Sequence, residues 1–259
     1  MRVRKEKILY SAISLLALVI FFGGWWLYSK QETSIISSPV EVIRRIVELI
    51  RFPIAKTTLF GHIWASLRRV LLAFLAASVI GVGLGIGFGW FPKFRRFIWP
   101  VFSIVRPIPP IAWIPLVILW AGIGENSKII IVFIAAVMPV VLNTFAGIQA
   151  ADPLLLKAGK VLGAKHKQML LNVALPDAIP TILAGMKTAL SSGWLAVVAA
   201  EMVAARQGVG FLIITGMEKL DITLVLASIV VIAVISALLT SLLNKLERIL
   251  CPWLNINAK

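Results

Sequence analysis

Charge is scarce in this chain, and negative charge is the scarcest: 11 Asp and Glu stand against 26 Lys and Arg in 259 residues. Only 14% of the residues are charged, while 60% are hydrophobic. Soluble domains carry roughly a quarter charged residues, so this shortage excludes a freely soluble globular protein and defines an integral membrane protein. A net charge of +15 on a soluble chain would point to nucleic acid. On a chain this apolar, lysines and arginines flank spans and meet anionic headgroups, so the lipid bilayer is the expected partner and nucleic acid is not. The single cysteine, Cys251, rules out an internal disulfide, and two histidines are too few for a metal-ligand cluster. No GxxxxGK[ST] run occurs, so the chain has no P-loop with which to cradle ATP phosphates.

What the chain does have is long uncharged runs. Residues 2–7 (RVRKEK) precede 21 uncharged residues, Ile8 to Tyr28. That run is long for a signal core, and Trp25, Trp26 and Tyr28 stand where a small-residue cleavage site would be, which predicts a retained first span. Val70 to Pro92 is a second span; its glycines at 81, 85, 89 and at 83, 87 form two small-residue rows that let another helix come close. A third, over Ile108 to Gly124, follows the proline-dense RPIPPIAWIP, which interrupts the helix before it. Ile129 to Ala151, Ala178 to Ala205 and Ile222 to Leu243 complete six. Between spans one and two, Val40, Ile43, Ile46, Val47 and Ile50 make the apolar stripe of an amphipathic surface helix, with Glu41, Arg44, Arg45 and Glu48 interleaved.

One interior segment is neither apolar enough to span nor polar enough to be a linker: Ala151 to Pro176. Asp152-Pro153 is a helix start, a capping carboxylate followed by a residue whose missing N–H costs nothing there. Apolar positions 154, 155, 158, 161 and 162 recur at helical spacing. Gly163 suits the left-handed end of that helix, and a second short helix carries Met169, Leu170 and Val173 until Pro176 stops it.

Gly163, nine residues, then Val173-x-Leu175-Pro176 resembles the EAA loop of permease subunits of binding-protein-dependent ABC importers. That pattern reads Glu-Ala-Ala, three residues, Gly, nine residues, Ile-x-Leu-Pro. Here the first triplet is Lys157-Ala158-Gly159, so a lysine replaces the glutamate and a glycine the second alanine. The runs RPIPPIAWIPLVILWAGIGENSK and SSGWLAVVAAEM resemble the taurine, aliphatic-sulfonate and nitrate branch. The resemblance covers roughly residues 38 to 253.

It implies an all-α integral membrane fold, six transmembrane helices per subunit with a cytoplasmic helix-Gly-helix coupling loop. The divisions are an N-terminal anchor (1–30), an external amphipathic segment (31–69), the permease domain (70–250, loop 151–176) and a cytoplasmic tail (251–259). The implied function is a non-catalytic permease in a cytoplasmic (inner) bacterial membrane, both termini cytoplasmic. Its implied partners are a second copy of itself, an ATPase dimer that binds ATP and Mg, and an external substrate-binding protein. No cofactor is expected in this chain. ATPase coupling would fall on Lys157, Ala158, Gly159, Gly163, Val173, Leu175 and Pro176, and the cargo would be a small organic anion such as taurine or an alkanesulfonate, with nitrate, bicarbonate or a vitamin precursor as alternatives.

Three residues are candidates for the substrate pathway or gate. Arg106 serves either an anion path or the headgroups; Asn143, with Thr144, either lines a path or bonds across helices; Glu201 is either a gate residue or a structural carboxylate. Lys187 is expected to snorkel from the start of the fifth span. On this topology cytoplasmic segments hold 14 Lys and Arg and external segments ten, or three once the amphipathic segment is set aside. A secondary transporter would need matching broken helices in both halves, and only one proline-broken segment is present. A membrane enzyme would need clustered groups, and Arg106 and Glu201 lie on different spans.

Overall fold

The computed structural model describes residues 2–31 and 35–252, and among these the chain is helical from end to end. In order the helices are α1 (Arg2–Ser29), α2 (Pro39–Arg51), α3 (Leu59–Trp90), α4 (Pro92–Val105), α5 (Ile114–Ala121), α6 (Glu125–Gln149), α7 (Pro153–Val161), α8 (His166–Met169), α9 (Leu175–Ala204), α10 (Val209–Glu218) and α11 (Ile222–Leu250). A 3-10 turn, Pro110–Trp113, leads into α5, and a π turn, Leu170–Ala174, joins α8 to α9. Residues 253–259 of the expected tail lie outside the described residues.

By length and composition α3, α6, the continuous run His166–Val203 and α11 are four membrane spans. Ile13–Ser29 of α1 is a shorter apolar helix. The straight span expected over 108–124 is not there. Pro107, Pro109 and Pro110 remove three donors in succession, and α4 meets the Pro110–Ala121 segment at 87°. The eight residues of α5 reach only about 12 Å at 1.5 Å per residue, so this region is a bent pair and not one rod.

The core forms where α3, α6 and α9 meet. Gly81, Gly85 and Gly89 face Val140, Thr144 and Ile148 of α6, each four residues after the last. A Cβ on Gly81 would lie 2.8 Å from the Val140 Cβ, and one on Gly89 2.6 Å from Ile148 Cγ2. The expected glycine row is therefore the seat of α6. The 83/87 row is not its twin: Gly87 faces Phe94 of α4 and Gly83 faces open space. Val132, Ala136, Val140 and Val141 are buried against these neighbours, and at about 1.5–3 kcal/mol per buried aliphatic side chain this seam is a main source of rigidity.

The segment before α3 is only partly a surface element. Ser38 and Glu41 form a capping box that starts α2: the Glu41 N–H donates to Ser38 Oγ at 3.3 Å, and the Ser38 N–H to the Glu41 carboxylate at 2.7 Å. The Ser38 donors hold that carboxyl below its ordinary range. Val42, Ile46 and Leu49 pack on Val209, Leu212 and Leu224 of α10 and α11, while Val40, Ile43 and Val47 are exposed. Arg45 pins this helix by a 2.6 Å pair with Asp221 at the start of α11. Residues 59–69, expected in the external segment, are instead the first three turns of α3.

Candidate functional site

Both ends of the α3–α6–α9 bundle carry the residues of interest. At one end is the elbow, 151–176. Asp152 Oδ1 accepts the Leu154 N–H at 2.7 Å, and Asp177 accepts the Asp152 N–H at 3.1 Å, so the first elbow helix is fixed at its root. It ends as its glycine predicts. Gly163 has φ +76°, its N–H meets the Lys160 carbonyl, and the Ala164 N–H meets the Gly159 carbonyl, both at 3.0 Å. This double closure is a Schellman turn. Gly159 has a packing reason as well: a Cβ there would come 2.6 Å from Met169 Sδ. The methionine of α8 occupies the space that an alanine methyl would need.

The second elbow helix does not stop at Pro176. Leu175 bonds back to the Leu170 carbonyl across the π turn, and the helix continues into α9 with Pro176 in its first turn. The wider turn absorbs the missing donor and the ring, so a residue that should break the helix passes through it. Elbow and span are therefore one continuous helical run, His166–Val203. His166 stacks on Trp90 at 4.9 Å between ring centroids, joining the elbow to the end of α3.

The apolar stripe of α7 is turned outward. Leu154, Val161 and Leu162 are 71%, 88% and 86% exposed, and Lys157 is exposed beside them. Ala158, Gly159, Val173 and Pro176 line a groove of about 520 Å³ between α7 and the start of α9. Leu175 points the other way, into the cluster of Ile148, Ala174 and Ala178.

The opposite end is ionic and closed. Arg69 is fully buried; it pairs with Glu201 at 2.6 Å and reaches Glu125 with two nitrogens, at 2.6 and 2.8 Å. Glu201, also fully buried, accepts in addition from Ser66 Oγ and from the Gly210 N–H, each at 2.9 Å. The Gly208 N–H donates to His62 Nδ1 at 3.1 Å, and the Val209 N–H to Ser66 Oγ at 2.9 Å. Gly208 has φ +134°, and a Cβ there would stand 2.5 Å from Glu201 Oε2, so only glycine fits. The cluster ties α3, α6, α9 and the start of α10 together.

The three pathway candidates are not brought together. Glu201 is locked in that cluster and is not at a surface. Asn143 donates to the Pro139 carbonyl of its own helix at 2.9 Å, and Thr144 is buried against Gly85, so of the two roles open to them the cross-helix bond is not seen among the described residues. Arg106 is exposed at the end of α4, with no ion pair among the described residues. Lys187, expected to snorkel, is ion-paired to Glu247 of α11. The residue that the sequence reading missed is Arg69. Its signal was present: His62, Ser66 and Arg69 sit at i, i+4 and i+7, a polar face on the first turns of an otherwise apolar helix.

A helical, multi-pass bundle with an outward-turned apolar elbow is the architecture of a membrane component with a face left for a partner. The chain belongs to the family described as binding-protein-dependent transport system inner membrane component, whose profile matches residues 77–255. It is 36% identical to the taurine transport system permease protein TauC of Escherichia coli (strain K12), over 93% of this chain and 89% of that protein. The putative aliphatic sulfonates transport permease protein SsuC of Bacillus subtilis (strain 168) is 34% identical, over 86% of this chain and 80% of its own length. The nitrate import permease protein NrtB of a Synechocystis strain is 31% identical, over 95% and 90%. Among solved structures, the methionine ABC transporter MetNI in an inward-facing conformation superposes with a TM-score of 0.67 at 19% identity, covering 74% of this chain and 95% of that one. The chain is thus a non-catalytic permease subunit of an ABC importer. Membership implies an ATPase and a substrate-binding protein as partners.

Proposed function

We propose that this permease imports a small organic sulfonate, taurine or an alkanesulfonate, and takes its motion from an ATPase docked on the elbow. The observation that carries the coupling half is the outward apolar face of α7 beside the groove lined by Ala158, Gly159, Val173 and Pro176. Exposed leucines and a valine on a short helix that no bilayer needs are a surface made to be covered. Lys157 offers the ATPase a cation where relatives of the EAA pattern offer a carboxylate. Gly163 sets the angle between the two elbow helices. Leu175 passes displacement into the core, and the continuous helix 166–203 carries it across the membrane. Two copies of the chain surround one pathway, each with six crossings, α1 and the bent pair counting as one apiece. Both termini and the elbow lie on the cytoplasmic side, and a loaded binding protein delivers cargo to the other.

Sulfonate is preferred as cargo because the taurine and sulfonate relatives align over most of this chain at 36% and 34% identity. The nitrate relative, 31% identical, supports a second reading. Vesicles containing the permease, its ATPase and its binding protein distinguish them. ATP-dependent uptake of labelled taurine, unaffected by excess nitrate, is the expected result. Uptake of nitrate with none of taurine would replace the first reading by the second, and uptake without the ATPase would overturn the coupling scheme.

A further inference from the structure

Most buried or half-buried cations of this chain are matched: Arg45 by Glu48 and Asp221, Arg69 by Glu125 and Glu201, Lys128 by Glu125, and Lys187 by Glu247. Half-buried Arg95, at the start of α4, is the exception: it has no ion pair among the described residues, and the exposed Lys93 and Arg96 stand beside it, also without one. Half-buried Arg95 is held over the Phe145 ring, 5.9 Å from its centroid, so one guanidinium is fixed in place. Two hollows of about 420 and 480 Å³ flank Arg96 and Pro92; one is walled by Trp99 and Phe145, the other by Lys93 and Phe97.

The same helix continues differently one turn on. Phe97, Val101 and Ile104 recur four and three residues apart and are all largely exposed, while Phe94, Ile98, Trp99 and Phe102 of the other side pack on the cluster that includes Phe88. Lys93 is four residues before Phe97, on the same face. A cationic end that runs directly into an apolar stripe has the two-part form of a phospholipid, with a charged head and long tails. A free anion would satisfy the cations and leave the stripe bare. A second copy of the chain would cover the stripe but has few acids to spare for these cations: of its 11 carboxylates, Glu48, Glu125, Glu201, Asp221 and Glu247 are already paired.

The geometry points to a site for an anionic phospholipid, its phosphate between Lys93 and Arg96 and its acyl chains along Phe97, Val101 and Ile104. The site lies at the elbow end of the bundle and begins three residues beyond the end of α3, whose Trp90 holds the elbow through His166. Lipid bound there braces the helix end from which the elbow hangs.

The test uses the full chain, stripped of lipid in neutral detergent and titrated with phosphatidylglycerol, with phosphatidylcholine, and with inorganic phosphate, bound species being counted by native mass spectrometry. Phosphatidylglycerol is expected to bind in preference to phosphatidylcholine. Lys93→Gln with Arg96→Gln should weaken it about thirtyfold, since each lysine or arginine near an anionic lipid surface contributes about 1 kcal/mol. Both side chains are exposed, so their loss leaves the fold intact. The control pair Lys245→Gln with Arg248→Gln removes equal charge from the exposed end of α11 and should change binding little. Phe97→Ser with Val101→Ser should weaken lipid binding further. Equal losses in the two charge-removed pairs would reduce the site to bulk surface charge and overturn the proposal. Displacement of the lipid by inorganic phosphate at matched concentration would make it a free-anion site. Unchanged lipid binding in the stripe variant, with loss of its dimer, would assign the stripe to a second copy.

Discussion

The two ends of the α3–α6–α9 bundle are built on opposite principles. At the far end, Arg69 and Glu201 are removed from water and every charge on them is answered, by each other, by Glu125, by Ser66 and by the backbone of Gly210. At the elbow, order comes from a carboxylate cap and a glycine turn, both local, and the apolar side chains of α7 are left uncovered. An ionic cluster without exposure has no chemistry to offer a partner, and a surface of bare leucine has no internal reason to exist. Cohesion is built into one end and an uncovered apolar face into the other. The glycine row of α3, seated closely on α6, joins the two.

The comparison breaks first if the buried cluster is not what holds the far end. Arg69→Ala leaves the Glu201 carboxylate buried without its counter-charge, a loss of roughly 3–5 kcal/mol for an interrupted internal pair. The expected outcome is a large fall in thermal midpoint and in the yield of folded protein from detergent. Replacing both members, Arg69→Met with Glu201→Leu, should recover much of it, because two apolar groups need no mutual answer. If Arg69→Ala melted like the parent and lost only transport, the cluster would belong to the pathway and its cohesive role would be wrong.

How far each end could be read from the sequence follows the same division. The elbow was legible because its signals are local: Asp152-Pro153 caps within two residues, and Gly163 closes a helix that ends beside it. The spans were legible because uncharged runs of this length have few other uses. The cluster was not, because its central ion pairs join residues far apart in the chain, Arg69 to Glu125 across 56 positions and to Glu201 across 132. Next to Arg68, and at the start of a long uncharged run, Arg69 reads as a cation that flanks a span. The partners of Asn143 and Lys187 were not legible for a related reason: a polar side chain on a span states a need for a partner without saying which one. Pro176 misled because the π turn that accommodates it depends on the backbone before it and has no residue code of its own.

A smaller effect sharpens the elbow half. Gly163→Ala forces a Cβ into the left-handed region, which disfavours an L residue by about 1–2 kcal/mol, at a position where no neighbour crowds the new methyl. The strain falls on the hinge between the two elbow helices and not on the core. Insertion and melting should be close to the parent, while ATP-driven uptake and the transporter's cargo-stimulated ATP hydrolysis fall together. A variant that melted early and still transported would place the elbow among the cohesive elements.

The smallest expected effect is at Lys157, and it asks whether the contact surface is specific or merely apolar. The side chain is exposed and has no ion pair among the described residues, so Lys157→Glu should shift stability by no more than about 0.5 kcal/mol, the usual range for surface changes. If this face docks the ATPase, reversing one charge on it acts on the partner instead. If Leu154, Val161 and Leu162 supply the contact, ATPase retention should be nearly unchanged in low and moderate salt alike. If Lys157 meets a carboxylate of the ATPase, retention should fall, most at low ionic strength where charges are least screened, and a reciprocal charge reversal on the ATPase should restore it. The salt dependence separates the two readings without reference to folding, because the change is confined to one side chain that the rest of the permease does not touch through any ion pair.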